Sequence, residues 1–452
     1  MKVECIDYRQ LPNLNPLLPQ YLYQYDQVDT LYDCPVHLSL EDLKRRADSV
    51  LRNPPTFPRD QLVELTLEFN QRVGASEEAF QNLEKLRSSK TLAVVTGQQP
   101  GFCGGPAFTV YKALTAVRLA QILNEEGYSA VPVFWLASDD SDFQEVRSTS
   151  FFDAGGELFS ASYPGPQKNS SRMVGTIPLN AVEECFSHLQ ERGPKGEFQK
   201  EVLQILQDTY SPTRNFREAF GSWLSQLFRP YGLVLFDALL PQYKQGLESL
   251  FSVAIEKRQD IVQALQERAE VLKEKGFEAQ VRVQDSESLI FWTEGEERYK
   301  LEYRAEQYQK KAGTPLQLSG QQLQEELGKQ AGRLAPNVLL RPIVQDHLFP
   351  TVAYVGGAAE VAYYAQICAI SPFWNKEIAV FPRVGITLVD RKAQRLLKKY
   401  GLKVTDILQC TPQEISRRLV KGKDPEQILG KLENVQEELK SALKSLASDI
   451  VK

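Results

Sequence analysis

Hydrophobic and polar positions divide the chain into stretches with different periods. Between Thr91 and Ala137 the apolar residues fall in two short unbroken runs, TLAVVT and SAVPVFWLA. Between them lie a breaker-rich loop, GQQPGFCGGP, and the segment AFTVYKALTAVRLAQILNEEG, whose apolar positions recur at helical spacing until Gly127. Runs of this length bounded by glycine suit strands buried on both faces, and the order strand, loop, helix, strand makes the two strands parallel. Core-like patterning returns at Val338 in VLLRPIVQDHLFPTVAYVGGAAEVAYYAQICAI. It predicts a buried strand, a polar turn, a second apolar run through Tyr354, the pair Gly356 and Gly357, and a helix opening near Ala358.

The flanking regions read differently. Residues 1–90 predict an N-terminal helical arm on the core, with helices in SLEDLKRRADSVL, RDQLVELTLEFNQRVGA and Ser76 to Leu86. Residues 91–147 form the first part of the core and 331–390 the second. The interval 148–330 reads as insertions: mostly helical from Ala181 to Gly276, including one long helix after Leu240, interrupted by the strand LVLFDA. VRVQ, SLIFWTEG and ERYKLEYR then alternate at period two and predict an antiparallel meander. In the tail, 391–452, Leu432, Val435, Leu439, Leu443, Leu446 and Ile450 recur at three- and four-residue steps, a coiled-coil-like seam.

Composition narrows the function classes. With 452 residues, 42% hydrophobic and 25% charged, the chain can bury a large core. The balance of 53 basic against 58 acidic residues argues against nucleic-acid binding by phosphate neutralisation. Six widely spaced cysteines show no disulfide or CxxC pattern and read as free thiols. No signal h-region or membrane span is visible, so a cytoplasmic protein is expected. Three unpaired histidines make a histidine-based metal site improbable, and no metal is expected.

Candidate chemistry gathers where the predicted strands end, because loops and helix N-termini converge there in an open parallel sheet. The loop from Gly97 can bring amides toward an anion at the start of a helix, with Gly104 and Gly105 in it and Lys112 beyond it. The same glycines would also serve tight strand-to-helix packing, and a lone helical lysine is more often solvated. Asp139, Asp140 and Asp142 follow VFWLA directly; carboxylates so crowded raise at least one pKa unless a cation sits among them. They suit a general base, a cation site or an ammonium site, or simply an acidic turn. Gly356, Gly357 and Glu360 make a second loop. Cys103 reads as a packing thiol, His347 as a satisfied strand-end histidine, and Tyr354, Tyr363 and Tyr364 as core and pocket wall.

Three blocks, TGQQPGFCGGPAFTVYKALTAVRLA, VPVFWLASDDSDFQEV and RPIVQDHLFPTVAYVGGAAEVAYYAQI, together resemble the cysteine ligase family of bacillithiol biosynthesis, the BshC family. The resemblance implies an α/β fold: a Rossmann-like parallel-sheet core with connecting-peptide insertions and a C-terminal helical coiled coil that makes a homodimer. It implies a ligase that joins the cysteine carboxyl to the amine of glucosaminyl-malate. It places Asp139, Asp140 and Asp142 in catalysis and Gly97, Gln98, Gln99, Gly104, Gly105, Lys112, Gly356, Gly357 and Glu360 around a cofactor, expected to be a nucleotide (ATP or ADP). Its partners are small molecules and a second copy, with neither nucleic acid nor membrane. The alternative is a non-catalytic or differently specific nucleotide- or sugar-binding dimeric relative.

Two departures bear on that choice. The family reads Glu-Asp-His-Asp where this chain has Asp139-Asp140-Ser141-Asp142, so Ser141 replaces a histidine. The family's helical hairpin is also longer than the seam here, which raises the prospect of a truncated or degenerate member. If the seam makes the dimer, a chain ending at Gly422 keeps its core fold and becomes a monomer in light scattering. An unchanged dimer would place the interface elsewhere.

Overall fold

The computed structural model describes residues 3–12, 14–153, 158–168, 170–193, 196–389 and 391–421. The seam expected from Leu432 to Ile450 lies outside the described residues. Contacts divide the chain into a unit spanning Asn15–Gly385 and a second that joins the two ends, Met1–Leu14 with Ile386–Lys452. In the second unit the helices Arg391–Tyr400, Val404–Gln409 and Pro412–Lys421 follow one another, and Gln409 Nε2 donates to the Gln10 carbonyl at 2.7 Å.

The larger unit is built on a five-stranded parallel sheet of β1 (Thr91–Gln98), β2 (Ser129–Leu136), β3 (Val234–Asp237), β4 (Thr351–Gly356) and β5 (Val380–Pro382). The strands lie in the order β5-β4-β1-β2-β3. β1 and β2 pair in register from Thr91 opposite Ser129 to Gln98 opposite Leu136. Nearly every residue of both strands is buried, as their unbroken apolar runs demand. The helix Phe108–Glu125 crosses from β1 to β2 and ends before Gly127, whose φ of +89° is a left-handed conformation that glycine adopts without strain.

That helix packs its two flanks on separate apolar clusters. Ala116, Leu119, Ala120 and Leu123 meet Leu43, Ala47 and Val50 of the helix Leu40–Arg52 over Leu92 and Val94. Ala113 and Val117 meet Phe134, Leu136, Phe220 and Leu224. Ser39 and Ser76 cap the helices Leu40–Arg52 and Glu77–Lys85, accepting from Asp42 N and Ala79 N. A separate antiparallel sheet contains the hairpin Glu287–Glu294 and Glu297–Arg304, flanked by Leu334–Pro336 and by Gln307–Lys310 with Gln317–Leu318. No helix among the described residues is long and apolar enough to cross a membrane.

Three sequence expectations are corrected. The run VLLRPIVQDHL is not a strand: Arg341–Leu348 is a helix, opened by Pro342 in its first turn and by the Asn337 carboxamide, which accepts from Leu339 N and Leu340 N at 3.0 Å each. It is buried nearly all round, so its sequence carries no helical stripe to read. VRVQ is no strand either; Val281 N and O are both taken by the Gln366 carboxamide, at 2.9 and 2.8 Å. The long helix after Leu240 is three, Pro241–Gln245, Glu248–Glu256 and Arg258–Glu274, because a Cβ on Gly246 would lie 2.3 Å from the Phe57 ring and the chain must turn there.

At the sheet edge, β3 offers its outer backbone groups to a side chain instead of a strand. The buried Asn70 carboxamide accepts from Leu235 N at 3.1 Å and donates to Leu235 O at 2.8 Å. Asn70→Leu removes both bonds and leaves two buried backbone groups unpaired. Urea denaturation should show a loss of about 2–4 kcal/mol with an unchanged m-value.

Candidate functional site

In the order β5-β4-β1-β2-β3 the chain moves one way from β1 to β2 and β3 and the other way to β4 and β5. The reversal opens a crevice above the carboxyl ends of β1 and β4, where a ligand finds convergent loops. Lys112, placed by the sequence among the residues around a cofactor, is the buried centre of this crevice at 1% exposure. Its ammonium donates to Gly97 O at 2.7 Å and Gln98 Oε1 at 3.2 Å and pairs with Glu360 at 2.7 Å. Three acceptors match its three hydrogens, which keeps it charged although burial lowers its pKa. Burial would raise Glu360, but the Lys112 ammonium, the Gly357 amide at 2.6 Å and the Tyr354 hydroxyl at 2.5 Å outweigh it and hold the carboxyl below the ordinary range.

Glu360 holds that place because it is the third residue of the helix Ala358–Ile367 and reaches back to Gly357, the residue before its first turn. Two more cations look onto the crevice. The buried Arg341 guanidinium lies 4.6 Å from the Tyr354 ring centre, and its Nη2 has no partner. Arg383 follows β5, donates its amide to Gly356 O at 2.8 Å and covers the Phe108 ring. Lys112, Arg341 and Arg383 thus face a single carboxylate, Glu360, and Thr109 Oγ1, in the first turn of Phe108–Glu125, is buried without a partner.

The first glycine loop plays a narrower part than expected. Gly104 N already has a partner inside the protein: it donates to the Tyr210 hydroxyl at 2.8 Å, and that hydroxyl donates to Gly101 O at 2.6 Å. A Cβ on Gly104 would lie 2.5 Å from the Trp223 ring. Gly105 N is bonded to Phe102 O at 3.0 Å. These two glycines therefore serve packing and are corrected from the ligand-binding set, whereas Gly97 touches the site by giving its carbonyl to Lys112. Cys103, in the same loop, is buried and its thiol is pushed well up by burial, which rules out a ready nucleophile. His347 Nε2 donates to Gly246 O at 3.2 Å, away from the crevice.

The acidic motif follows β2 and divides by exposure. Asp139 is buried, Asp140 half-buried and Asp142 exposed, so Asp142 stands outside the cluster the other two form. The Arg298 guanidinium reaches them from the hairpin strand Glu297–Arg304, at 2.6 Å from Asp140 and 3.6 Å from Asp139. Burial raises the Asp139 pKa against the pull of Arg298 and the buried Lys244. Gln99 Nε2 donates to Asp140 at 2.8 Å and to Glu145 at 3.1 Å, and Gln98 Nε2 donates to Gln99 at 3.4 Å. One hydrogen-bonded chain therefore runs from Glu360 through Lys112, Gln98, Gln99 and Asp140 to Arg298. Among the described residues no cluster of metal-ligating side chains forms.

The chain has relatives among known proteins. A model of the family described as "Bacillithiol biosynthesis BshC, N-terminal Rossmann-like domain" matches residues 1–383. The chain belongs to the BshC family. Relatives carrying the name "Putative cysteine ligase BshC" include one from Solibacter usitatus, 32% identical over 432 residues that cover 93% of this chain and 77% of the relative. One from Desulforamulus reducens is 30% identical over 467 residues, covering 100% and 82%. A third, from Chlorobaculum tepidum, is 33% identical over 411 residues, covering 88% and 72%.

Within this BshC core, sequence reasoning missed Arg298 and Lys244. An arginine at an alternating position of a hairpin looks solvated, and no local signal tells that it points 158 residues back to Asp140. Glu360→Leu should strand the Lys112 ammonium and destabilise the fold by about 3 kcal/mol or more in denaturant unfolding. Lys112→Met combined with Glu360→Leu should recover a large part of that loss, and strict additivity would show that the pair is not coupled.

Proposed function

We propose that this chain joins the carboxyl group of cysteine to the amine of glucosaminyl-malate, forming an amide bond and completing bacillithiol. The observation that carries the reading is the hydrogen-bonded chain from Glu360 to Arg298, which ties a cation-rich crevice to a carboxylate pair one strand away. The names of the relatives point to the same chemistry.

Each end of the chain suits one part of the reaction. Malate brings two carboxylates, and the excess of cations over anions around Lys112, Arg341 and Arg383 attracts them. The sugar ammonium must lose a proton before its nitrogen can attack. Asp140, held by Gln99 and Arg298 yet half open to solvent, is the acceptor we assign. The proton leaves the ammonium for the Asp140 carboxylate, the freed amine attacks the activated cysteine carbonyl, the leaving group departs with its bonding pair, and the nitrogen sheds its second proton to solvent as the amide forms.

A nucleotide is the natural source of that activation, turning the cysteine carboxyl into a good leaving-group ester. The first turn of Phe108–Glu125 with the unpartnered Thr109 hydroxyl, beside Arg383, fits a phosphate. The chain works as a homodimer in the cytoplasm in this reading, through the C-terminal seam.

Ser141 favours a second reading. Where the family has a histidine, a serine cannot exchange protons near neutral pH, so a nucleotide- or sugar-binding dimeric relative without ligase activity is the alternative. Cells lacking this chain should accumulate glucosaminyl-malate and lose bacillithiol in thiol analysis, and Asp140→Asn should fail to restore it while Asp142→Asn succeeds. Unchanged bacillithiol would favour the second reading.

A further inference from the structure

We propose that Arg298, carried by an inserted hairpin and assigned no role so far, is a positioning residue of the site that holds the Asp139 and Asp140 carboxylates in place and oriented for the amine. The inference rests on the ligase reading and deepens it. Its basis is geometric. The Arg298 side chain is only 10% exposed, packs its guanidinium 4.2 Å from the Phe291 ring centre, and spends two nitrogens on the two carboxylates. Its Nε is buried without a partner, so nothing else in the protein accounts for burying the charge there.

The hairpin is fixed so that the guanidinium cannot drift away. Arg298 N donates to Ser171 O and Met173 N to Glu296 O, both at 2.8 Å, and Arg172 pairs with Glu296 at 2.7 Å. The segment so clasped grips the acidic turn from the other side, with Val174 N on Asp140 O at 2.6 Å and Gly175 N on Ser138 O at 2.8 Å. Two stretches inserted in the parallel core therefore meet on the turn that carries Asp139 and Asp140.

The other charged and titratable groups facing this pair do not replace Arg298. Lys244, buried on the helix after β3, lies near Asp139 but makes no ion pair with it. Asp237 is occupied by Arg217 at 2.7 Å and by Ser138. Tyr243 donates to Ala238 O at 3.2 Å, and Glu145 shares only the Gln99 amide. Asp140 accepts from one cation, Arg298. A cation at this range lowers a carboxylate pKa, so removing it raises the pH at which Asp139 gains a proton.

The test uses the purified full chain added, with cysteine and glucosaminyl-malate, to extracts of cells that lack it. Arg298→Gln should lower bacillithiol formation at pH 7 at least tenfold and move the acidic limb of the rate profile upward by about one pH unit. Arg298→Lys should recover part of both. A lowered rate with an unmoved limb marks a merely structural role and overturns the proposal. Carbon-13 NMR titration of the aspartate side chains, assigned with Asp139→Asn and Asp140→Asn, needs no turnover. Asp139 should titrate at higher pH in Arg298→Gln, and an unchanged titration overturns the proposal. Wild-type protein that forms no bacillithiol while the titration shifts would overturn the ligase reading and leave the electrostatic role of Arg298 standing.

Discussion

An ammonium group taken out of water must find an acceptor for each of its hydrogens, and the carboxyl end of this sheet is arranged around that need. Lys112 draws the Gly97 carbonyl, the Gln98 side chain and Glu360 to one point. The first two close β1, and the third opens the helix after β4. Satisfying one buried charge therefore sets the end of β1, the start of the helix after β4 and the direction of the Gln-Gln pair together. The arrangement is costly to break on one side only, because the partner left behind is a buried and unpaired charge.

The parallel core supplies the crevice, but it does not complete the acidic side. The turn after β2 carries carboxylates that repel one another and sit near an apolar strand end. Its backbone is held by amides of residues 174 and 175, and its charge is met by an arginine from the antiparallel sheet. The insertions act here as structural counterparts of the core, linked to it by hydrogen bonds and charge as well as by apolar packing.

The legible parts of the sequence were those whose physics is local. β1, its loop, the helix Phe108–Glu125 and β2 were readable because a strand buried on both faces leaves an unbroken apolar run and glycine marks its end. The second glycine loop and the two buried members of the acidic motif were readable for the same reason. The helix Arg341–Leu348 was misread because burial on all sides erases the period that separates helix from strand. The sequence could not show the carboxylate partner of Lys112, which stands at position 360, nor the Trp223 ring beside Gly104, which comes from a distant helix. Nothing in the spacing of Asp139, Asp140 and Asp142 could tell that the third faces solvent.

The cysteines carry a consequence for a protein that handles thiols. Cys103, Cys185 and Cys368 are buried, and burial also pushes Cys34 up to about 11. At pH 7 only about one Cys34 side chain in ten thousand is a thiolate, the form that attacks a disulfide. The interior of the larger unit is thereby inert toward mixed-disulfide formation. Thiol exchange at the protein is left to the exposed Cys5 and the half-buried Cys410.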